Sequence, residues 1–445
     1  MVAGLGVSGV AAAGALSRLG ADVSVYDAKR GEEIEERLPD FLKDGRLTRY
    51  LGTAPEKPGS FDLYVLSPGL SPKLAFIREA ERAGVEIAGE LEIAYRIGKG
   101  GFVAITGTNG KTTTTALVGE MFQRAGRETY VVGNIGVPAV SAAMTAGRDA
   151  WMITEVSSFQ LETVRRFKPR LSALLNLTPD HLDRHGTMEK YGNAKANVWR
   201  NQTEEDFLIV NDDDPLCREL SKGCKAKTVP FSRLRELAFG ASVKEGELVV
   251  RGASGELVSL CGVSELRIPG AHNLENALAA SALAYFAGIP ASAVASALRS
   301  FAGVAHRLEF CGERNGARWI NDSKGTNPDA SVRAIEALDG PLILIAGGSD
   351  KNTDFAPFVR AFAGKVKRAL LMGATAEKIK EAAEREGFTG SVVLNDMEEC
   401  VREAFRFAAP GDTVLLSPAC ASFDRYTGFE QRGADFKKQI AGLGG

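Results

Sequence analysis

One segment of the chain combines glycines, a lysine and threonines in the order that triphosphate binding requires. Residues 107–112 read Gly-Thr-Asn-Gly-Lys-Thr and stand where a buried strand pattern gives way to a helical pattern. Glycines let backbone N–H groups turn toward phosphate oxygens, and the helix N-terminus adds its positive dipole end. Lys111 would neutralise the outer phosphates, and the Thr112 hydroxyl would coordinate Mg²⁺. Because the segment is shorter than the general GxxxxGK(S/T) loop, an ordinary strand-to-helix turn is the alternative interpretation.

A carboxylate ends the apolar run Trp-Met-Ile-Thr-Glu, which is predicted to be a strand. This places Glu155 at the carboxyl end of the strand, where a parallel sheet presents side chains to a ligand. Together with the phosphate loop, the position makes Glu155 a candidate Mg²⁺ ligand. Taken alone, such a glutamate is more often a solvated surface charge, because charged residues rarely stay buried unpaired.

Residues 176–185, Asn-Leu-Thr-Pro-Asp-His-Leu-Asp-Arg-His, follow another apolar strand and gather two carboxylates and two imidazoles. Clusters of this kind suit metal and substrate contacts. Asp183, Arg184 and His185 fit a surface ion-pair turn equally well. Both interpretations stay open on this evidence.

The first residues carry a second glycine motif. Gly4-Leu-Gly6-Val-Ser-Gly9 has the GxGxxG spacing of a dinucleotide-binding turn, and Asp27 follows the next strand where such a fold holds a ribose-binding acid. Locally this favours NAD, although Rossmann-type binding of another nucleotide is equally compatible. Residues 1–3 leave almost no first strand, so either the true start lies upstream or that strand is unusually short.

Two later loops also follow predicted strands. Gly-Gly-Ser-Asp-Lys at 347–351 comes after an apolar run, and so does Ser-Pro-Ala-Cys-Ala-Ser-Phe-Asp at 417–424. Both would lie at carboxyl ends of strands, where ligands bind. The alternatives are a solvated loop lysine at Lys351 and a small buried apolar side chain at Cys420.

The elements that position these motifs are predicted from hydrophobic periodicity, which indicates three successive α/β sections. Residues 1–90 are predicted to form a Rossmann-like domain, 91–303 a central P-loop ATPase-type domain on a parallel sheet, and 304–445 a Rossmann-like C-terminal domain. The stretch 212–267 is less periodic and carries no predicted site. Helices are predicted at 10–19 and 273–286, and strands at 23–26, 63–66, 102–105, 130–132, 151–153, 171–175, near 319, and at 342–345, 369–372 and 413–416.

Composition excludes several classes of protein. A length of 445 residues fits roughly three domains at about 150 residues each, and a net charge of -2 offers no broad basic surface for nucleic acid or an anionic membrane. The six cysteines include no CxxC pair, so they are expected to be reduced thiols and not zinc ligands. Residues 1–20 lack the basic region of a signal peptide, and no apolar run spans a bilayer. We therefore expect a cytoplasmic enzyme.

Taken together, the motifs resemble those of the Mur ligase family, and the similarity extends over nearly the whole chain. Several long motifs in the expected order are far more specific than any one glycine loop. The segments that carry the resemblance are GTNGKTTT (107–114), GNIG (133–136), TEVSSFQL (154–161), NLTPDHLDRH (176–185), HNLENALAA (272–280), HRLE (306–309), NDSKGTN (321–327), GGSDKNTDF (347–355) and SPACASFDRYTGFEQRG (417–433).

The resemblance implies an ATP-dependent ligase of peptidoglycan precursor synthesis. Such an enzyme activates the carboxylate of UDP-N-acetylmuramoyl-L-alanine as an acyl phosphate and couples it to D-glutamate. The resemblance further implies two Mg²⁺ ions, CO₂ for the carbamylation of a lysine, and a monomer with small-molecule substrates only.

The same resemblance assigns the nucleotide-binding residues. The first domain binds the UDP part of the nucleotide sugar, which replaces the NAD interpretation, although Ala28 and Lys29 stand where the family can have a hydroxyl residue and an arginine. The implied UDP-sugar residues are Val7, Ser8, Asp27, Gly69 and Asn134. The implied ATP residues are Gly107, Thr108, Asn109, Gly110, Lys111, Thr112, Thr113, Asn276, Arg307, Asp322 and Lys324.

The remaining assignments concern chemistry and the amino acid. Carbamylation replaces the ammonium of a lysine by a carboxylate-like group that suits Mg²⁺, whereas a lysine on a polar helix is otherwise a solvated charge. The implied catalytic residues are Lys111, Glu155, His181 and Lys195. The implied metal ligands are Thr112, Glu155, His181 and Lys195 as its carbamate. The implied D-glutamate residues are His181, Thr326, Lys351, Ser422, Phe423 and Phe429.

Two alternatives remain at this point. A sister ligase that adds another amino acid, or a folate polyglutamate ligase, would share the phosphate loop but prefer a different acceptor. A dehydrogenase or sensor that binds NAD through residues 4–9 would not need ATP with Mg²⁺.

Overall fold

Three separate sheets organise the chain. The computed structural model describes residues 1–30, 39, 41, 47–134, 137–268, 270–350 and 353–443. These divide into two units, Met1–Glu265 with Glu275–Arg299, and Leu266–Leu274 with Ser300–Gly445. The first unit holds a five-stranded and a nine-stranded sheet, and the second holds a six-stranded sheet. The predicted α/β class is confirmed, and the predicted domain boundaries at residues 90 and 303 stay predictions.

The five-stranded sheet is parallel, with the order β3-β2-β1-β4-β5 of a doubly wound fold. The first strand has only two residues, both buried, and helix α1 follows it directly. A Cβ atom on Gly9 would lie 1.8 Å from the carbonyl oxygen of Gly4, so this turn requires glycine. The strands are β1 (Val2–Ala3), β2 (Val25–Asp27), β3 (Arg49–Leu51), β4 (Leu63–Leu66) and β5 (Glu86–Gly89), and the helices are α1 (Val7–Arg18) and α2 (Ala75–Arg82).

The nine-stranded sheet has the order β14-β13-β12-β11-β10-β9-β6-β8-β7. Its strands from β7 to β12 are parallel, and β12, β13 and β14 form an antiparallel edge. Strands β6, β8 and β9 are almost entirely buried, as expected when helices cover both faces of a parallel sheet. The strands are β6 (Gly101–Thr106), β7 (Thr129–Gly133), β8 (Trp151–Glu155), β9 (Leu171–Leu174), β10 (Phe207–Asn211), β11 (Lys227–Ser232), β12 (Gly240–Lys244), β13 (Glu247–Arg251) and β14 (Leu257–Gly262).

Helices of this part of the chain connect the strands. The stretch 212–267, in which the sequence shows weak periodicity, contains one α-helix and four strands, and the last three of those strands form two antiparallel hairpins. The helices are α3 (Glu90–Ile97), α4 (Lys111–Arg124), α5 (Ala139–Ala143), α6 (Ser158–Leu161), α7 (Leu182–His185), α8 (Met188–Ala196), α9 (Pro215–Ser221), α10 (Ala271–Phe286) and α11 (Ala291–Ser300).

The six-stranded sheet has the order β15-β16-β20-β17-β18-β19, and only the β15–β16 pair is antiparallel. Helix α12 begins sharply, because the Asn327 side chain caps it and Pro328 is its first residue. The strands are β15 (Glu309–Arg314), β16 (Ala317–Asn321), β17 (Leu342–Ala346), β18 (Val366–Leu371), β19 (Ser391–Val393) and β20 (Thr413–Leu416). The helices are α12 (Pro328–Ala337), α13 (Ala356–Arg360), α14 (Ala376–Arg385), α15 (Met397–Phe407) and α16 (Phe429–Ala441).

Two general features follow from this architecture. All six cysteines are free, and four of them are buried. Within the described ranges, no helix has both the length and the apolar character needed to cross a membrane.

Candidate active site

The phosphate loop connects β6 to helix α4, as the glycine and lysine pattern predicts. Gly107 and Gly110 have φ angles of 154° and 83°, which L side chains rarely adopt. A Cβ atom on Gly110 would also lie 2.2 Å from Oδ1 of Asn276. Gly110 is the N-cap of helix α4, and no side chain caps that helix end. The loop therefore presents a helix N-terminus suited to an anion. An ordinary strand-to-helix turn would not need the close approach of the Asn276 side chain to Gly110.

Lys195 lies directly against this loop. Its Nζ donates a hydrogen bond of 2.7 Å to the carbonyl oxygen of Gly107 and lies 4.6 Å from the centre of the Tyr191 ring. The residue is only 1% exposed, so the solvated-charge interpretation is wrong. Burial, followed by the nearby charge of Lys111, lowers the pKa of Lys195 well below its usual value.

Glu155 is also buried, at 1% exposure, and is not the solvated surface charge that its residue type alone suggests. Its Oε2 accepts a hydrogen bond of 2.7 Å from the Thr112 hydroxyl, and its Oε1 accepts one of 2.8 Å from Nδ2 of Asn134. The hydroxyl and carboxylate oxygens are hard ligands, so this pair fits a divalent cation such as Mg²⁺.

The segment after β9 contacts the phosphate loop through Asn176. Its side chain exchanges two hydrogen bonds with the backbone of Asn109, of 2.8 and 3.1 Å. His181 is a positive-φ residue at 54°, and its ring packs on Phe159 at 4.8 Å. His181 and the phosphate loop both lie in the first unit.

The three residues that end this segment, Asp183, Arg184 and His185, have different surroundings. Arg184 pairs at 2.6 Å with Glu162, which lies outside this segment, and Asp183 is exposed. His185 is buried, with Nε2 3.0 Å from the Ser158 hydroxyl, and burial lowers its pKa. In the part of the chain that the structure describes, no group of three or more His, Cys, Asp or Glu side chains is arranged to hold a metal ion.

The adenine residue implied by the resemblance, Asn276, lies beside the loop. Its Oδ1 accepts a hydrogen bond of 3.3 Å from the Thr114 hydroxyl. The hydroxyl of Thr113 is buried and has no hydrogen-bond partner among the described residues.

In the five-stranded sheet, Asp27 binds the glycine turn itself. Its Oδ2 accepts a hydrogen bond of 2.8 Å from the Leu5 N–H, and its Oδ1 accepts one of 2.9 Å from the Lys29 N–H. Val7 is 75% exposed, and Gly69 is exposed at the end of β4. Ser8 is half-buried on the first turn of helix α1. These residues lie at the carboxyl edge of the sheet, where a nucleotide binds in doubly wound folds.

The second unit holds the other implied residues. Asp322 accepts a hydrogen bond of 2.7 Å from the Ser417 hydroxyl, and its burial, opposed first by the charge of Arg307, raises its pKa to about 6. Nζ of Lys324 lies 4.8 Å from the centre of the Phe429 ring. Phe423 is 74% exposed.

Three further implied residues of this unit differ in their placement. Ser422 is buried, at 2% exposure, and Thr326 is half-buried. Lys351 lies outside the described residues. Cys420 is a small buried side chain, 3.2 Å from the Thr375 hydroxyl, as its alternative interpretation predicts.

Tyr191 is a site residue that the sequence analysis missed. It is buried, its hydroxyl lies 3.3 Å from the Thr108 hydroxyl, and its ring supports Lys195. The available signal was spacing, because Tyr191 and Lys195 stand four residues apart on helix α8 and therefore share a face.

Family models match three successive segments of the chain. Residues 1–89 match the Mur ligase MurD-like N-terminal domain, 105–284 the Mur ligase middle domain, and 306–420 the Mur ligase glutamate ligase domain.

Curated relatives are similar over their full length. The UDP-N-acetylmuramoylalanine--D-glutamate ligase of Caldanaerobacter subterraneus subsp. tengcongensis is 49% identical, with 99% of this chain and 98% of the relative covered. The proteins of the same name from Alkaliphilus metalliredigens and Clostridioides difficile are 47% and 41% identical, with 100% of this chain and 98% of each relative covered.

Solved structures share the fold. The UDP-N-acetylmuramate-alanine ligase of Thermotoga maritima is 19% identical, with a TM-score of 0.62 over 99% of this chain and 98% of that chain. E. coli FolC in complex with DHPP and ADP is 17% identical, with a TM-score of 0.59 over 79% of this chain and 92% of that chain.

Proposed function

The chain belongs to the Mur ligase family, and on that premise we propose that it joins D-glutamate to UDP-N-acetylmuramoyl-L-alanine with ATP, in peptidoglycan precursor synthesis. The observation that carries the proposal is the full-length similarity to relatives named for this reaction, at 41% to 49% identity. Lys195 and Glu155, which are buried beside the phosphate loop, support the proposal, because a phosphate loop alone needs neither a buried lysine nor a buried glutamate.

A carboxylate resists attack by an amine because it is anionic and its oxygen is a poor leaving group. The alanyl carboxylate of the substrate would therefore take the γ-phosphoryl group of ATP, which gives an acyl phosphate and ADP. The amine of D-glutamate then attacks the carbonyl carbon, loses a proton, and phosphate leaves. Phosphoryl transfer of this kind depends on positioning and electrostatics more than on covalent help from the protein.

In this proposal the loop residues 107–113 hold the triphosphate. The N–H groups at the start of helix α4 and the ammonium of Lys111 face the phosphates, and Asn276 contacts the adenine. Asp322 contacts the ribose, and Arg307 and Lys324 are the further residues proposed to contact ATP. The buried position of Asp322 beside Ser417 supports this role, because a buried carboxylate is kept only where it has donors to bind.

Thr112, Glu155, His181 and Lys195 as its carbamate would hold two Mg²⁺ ions. Bound Mg²⁺ would draw off the negative charge that collects on the transferring phosphoryl group. The Thr112–Glu155 hydrogen bond supports the assignment, because it places two hard oxygen ligands together in a buried site. Burial of Lys195 supports carbamylation, since CO₂ reacts with a neutral amine and burial disfavours the ammonium form.

The remaining proposals concern the other substrates. Val7, Ser8, Asp27, Gly69 and Asn134 would bind the UDP-sugar. His181, Thr326, Lys351, Ser422, Phe423 and Phe429 would bind D-glutamate, with Lys351 and Ser422 on its second carboxylate. We also propose a monomer in the cytoplasm, with domains at 1–90, 91–303 and 304–445 and no nucleic acid or membrane partner.

Release of orthophosphate tests the proposal. The purified protein receives UDP-N-acetylmuramoyl-L-alanine, ATP and Mg²⁺ with D-glutamate, L-glutamate or another amino acid. Phosphate release that depends on D-glutamate supports the proposal. Release with a different amino acid would identify a sister ligase, and release only with a folate would identify a folate polyglutamate ligase. Binding of NADH without any use of ATP would identify the dehydrogenase or sensor alternative.

A further inference from the structure

The turn that carries Arg307 is strained on both sides of that residue. His306 and Leu308 have φ angles of 64° and 44°, in the left-handed region that L side chains rarely adopt. Histidine visits this region more readily than leucine, so Leu308 is the more strained of the two. Such residues persist only where the surrounding structure holds them, and they concentrate at functional sites. The contacts that hold residues 306–308 in place therefore bear on the role of Arg307.

The backbone on both sides of Arg307 is bonded to the segment that follows strand β16. The carbonyl oxygen of His306 accepts a hydrogen bond of 3.0 Å from the Lys324 N–H. The N–H of Leu308 donates one of 3.3 Å to Oδ1 of Asp322. The turn is thus anchored to the two residues of this segment that are proposed to contact the same ATP molecule as Arg307.

Asn321, the last residue of β16, makes a second set of contacts with the turn. It is fully buried, and its Nδ2 lies 3.0 Å from Nδ1 of His306, 3.1 Å from Oε2 of Glu309 and 3.2 Å from the Gly433 carbonyl oxygen. Oε2 of Glu309 also accepts a hydrogen bond of 2.8 Å from the His306 N–H. One side-chain amide therefore contacts the His306 ring directly and the His306 backbone through Glu309.

The chemistry of these groups fixes the direction of the hydrogen bonds. An amide nitrogen can only donate, so Nδ1 of His306 is the acceptor and the neutral ring carries its proton on Nε2. Burial lowers the pKa of His306, which favours the same neutral form. Oδ1 of Asn321 accepts a hydrogen bond of 3.1 Å from the Ser323 N–H. A reversed amide would lose that bond and would place its oxygen against three acceptors.

Helix α16 is shaped to fit this network. A Cβ atom on Gly433 would lie 2.2 Å from Nδ1 of His306 and 3.0 Å from Nδ2 of Asn321, so only glycine allows the helix to approach the pair. Nζ of Lys437, one turn further along the helix, donates a hydrogen bond of 2.9 Å to Oε1 of Glu309. The helix therefore contacts the central amide and also supplies the counter-ion of the carboxylate.

We propose that Asn321 is a positioning residue for ATP, which holds the strained turn 306–308 so that the Arg307 guanidinium faces the phosphates beyond the first. This inference rests on the proposed function, because that function places ATP at Arg307, Asp322 and Lys324. Asn321 itself touches neither substrate nor metal, because its amide is buried and bonded to protein groups. Without the amide, the turn would lose its hold on Arg307, while Asp322 would keep its contact with the ribose.

The test compares ATP with AMP, which keeps the base and the ribose but lacks the outer two phosphates. Isothermal titration calorimetry of the full chain with Mg²⁺ measures both Kd values in wild type and in Asn321→Asp. The aspartate has the same shape, but it replaces the donor by an oxygen that faces His306 and Glu309. We expect Kd for ATP to rise ~10-fold or more, as for one lost charge-assisted hydrogen bond, and Kd for AMP to change by less than ~2-fold.

A double-mutant cycle tests whether the effect passes through Arg307. In the Arg307→Ala background, Asn321→Asp should cause no further rise in Kd for ATP, because the side chain that it positions is absent. A purely structural role would instead add the full effect of Asn321→Asp in that background. Asn315→Asp, at an exposed position just before β16, adds the same charge and is the matched control. It should leave both Kd values unchanged.

If Asn321→Asp does not fold, Gly433→Ala displaces the His306 ring from helix α16 and should give the same selective loss of ATP affinity. Unchanged affinity for ATP, equal weakening of ATP and AMP, or additive effects in the cycle would each overturn the proposal. If wild type binds ATP and releases phosphate with D-glutamate while Asn321→Asp behaves like wild type, only the role of Asn321 fails. If wild type binds no ATP, the proposed function fails as well.

Discussion

Lys111 and Lys195 donate hydrogen bonds to the same acceptor, the carbonyl oxygen of Gly107, at Nζ–O distances of 2.9 and 2.7 Å. They reach it from two helices, α4 and α8. Two ammonium groups at one carbonyl repel each other, and Lys195 is also buried, so the neutral form of Lys195 is favoured. A carbamate on Lys195 would replace this repulsion by attraction to Lys111.

The first prediction concerns Lys195. Lys195→Ala should reduce turnover by ~100-fold or more, because loss of even an indirect metal partner costs 10- to 100-fold. Short-chain carboxylic acids should restore part of the activity by supplying the missing oxygen ligand. Phosphate release measures both effects. Lys190→Ala, on the exposed face of the same helix, is the control, and full activity of Lys195→Ala would contradict the assigned role.

The second prediction tests whether the Mg²⁺ requirement depends on the hydroxyl of Thr112 or only on the shape of its side chain. Thr112→Val keeps the branched side chain but loses the hydrogen bond to Glu155, whereas Thr112→Ser keeps the hydroxyl. The valine variant should need ~10-fold more Mg²⁺ for half-maximal phosphate release, because one hard oxygen ligand is gone. The serine variant should stay close to wild type. Equal Mg²⁺ requirements in both variants would remove Thr112 from the metal site.

The third prediction concerns the pH dependence of stability. The folded protein raises the pKa of Asp322 from 3.8 to about 6, so it binds that proton more tightly than the unfolded chain. The stabilising contribution of Asp322 is therefore full below pH ~4 and is lost as pH rises through ~6, with a limit of about 3 kcal/mol. Calorimetric Tm values between pH 4 and 8 should fall more in wild type than in Asp322→Asn.

Asp339→Asn, at an exposed position of the same unit, should follow the wild-type curve in that experiment. Parallel curves for wild type and Asp322→Asn would show that Asp322 does not titrate in this range.

The fourth prediction concerns the residues proposed for D-glutamate. Phe423 is 74% exposed, and we expect its contact with D-glutamate to be made by its backbone, so Phe423→Leu should change KM for D-glutamate by less than ~2-fold. Ser422→Ala should raise that KM ~10-fold, since a hydroxyl bonded to a carboxylate is lost. Steady-state kinetics measure both. Phe310→Leu, another exposed aromatic of this unit, is the control, and a large effect of Phe423→Leu would mean that its ring contacts the substrate.

The sequence predicted those parts of the fold that have a short and regular local pattern. The apolar strands at 342–345 and 413–416 and the glycine–lysine loop at 107–112 were found, because burial on both faces and phosphate geometry each leave a short, regular signature. The hairpins within 212–267 were not, because burial does not alternate along their strands and therefore leaves no pattern of period two.

The candidate site was predictable only where a motif carries its own chemistry. Glu155 and Lys195 look like surface charges when taken singly, and only tertiary burial beside Thr112 and Gly107 distinguishes them. Tyr191 belongs to no motif, and its spacing of four from Lys195 is its only local signal. Its contact with Thr108 joins residues 83 positions apart, which no local pattern encodes.

The free cysteines have a practical consequence. Burial raises the pKa of all six thiols, which lowers the fraction of thiolate that alkylating reagents attack at neutral pH. A single cysteine introduced at an exposed position such as Leu234 would then accept a maleimide dye selectively at short reaction times. The four buried native thiols can stay in place, so fluorescence studies of this protein need replace only the partly exposed Cys224 and Cys311.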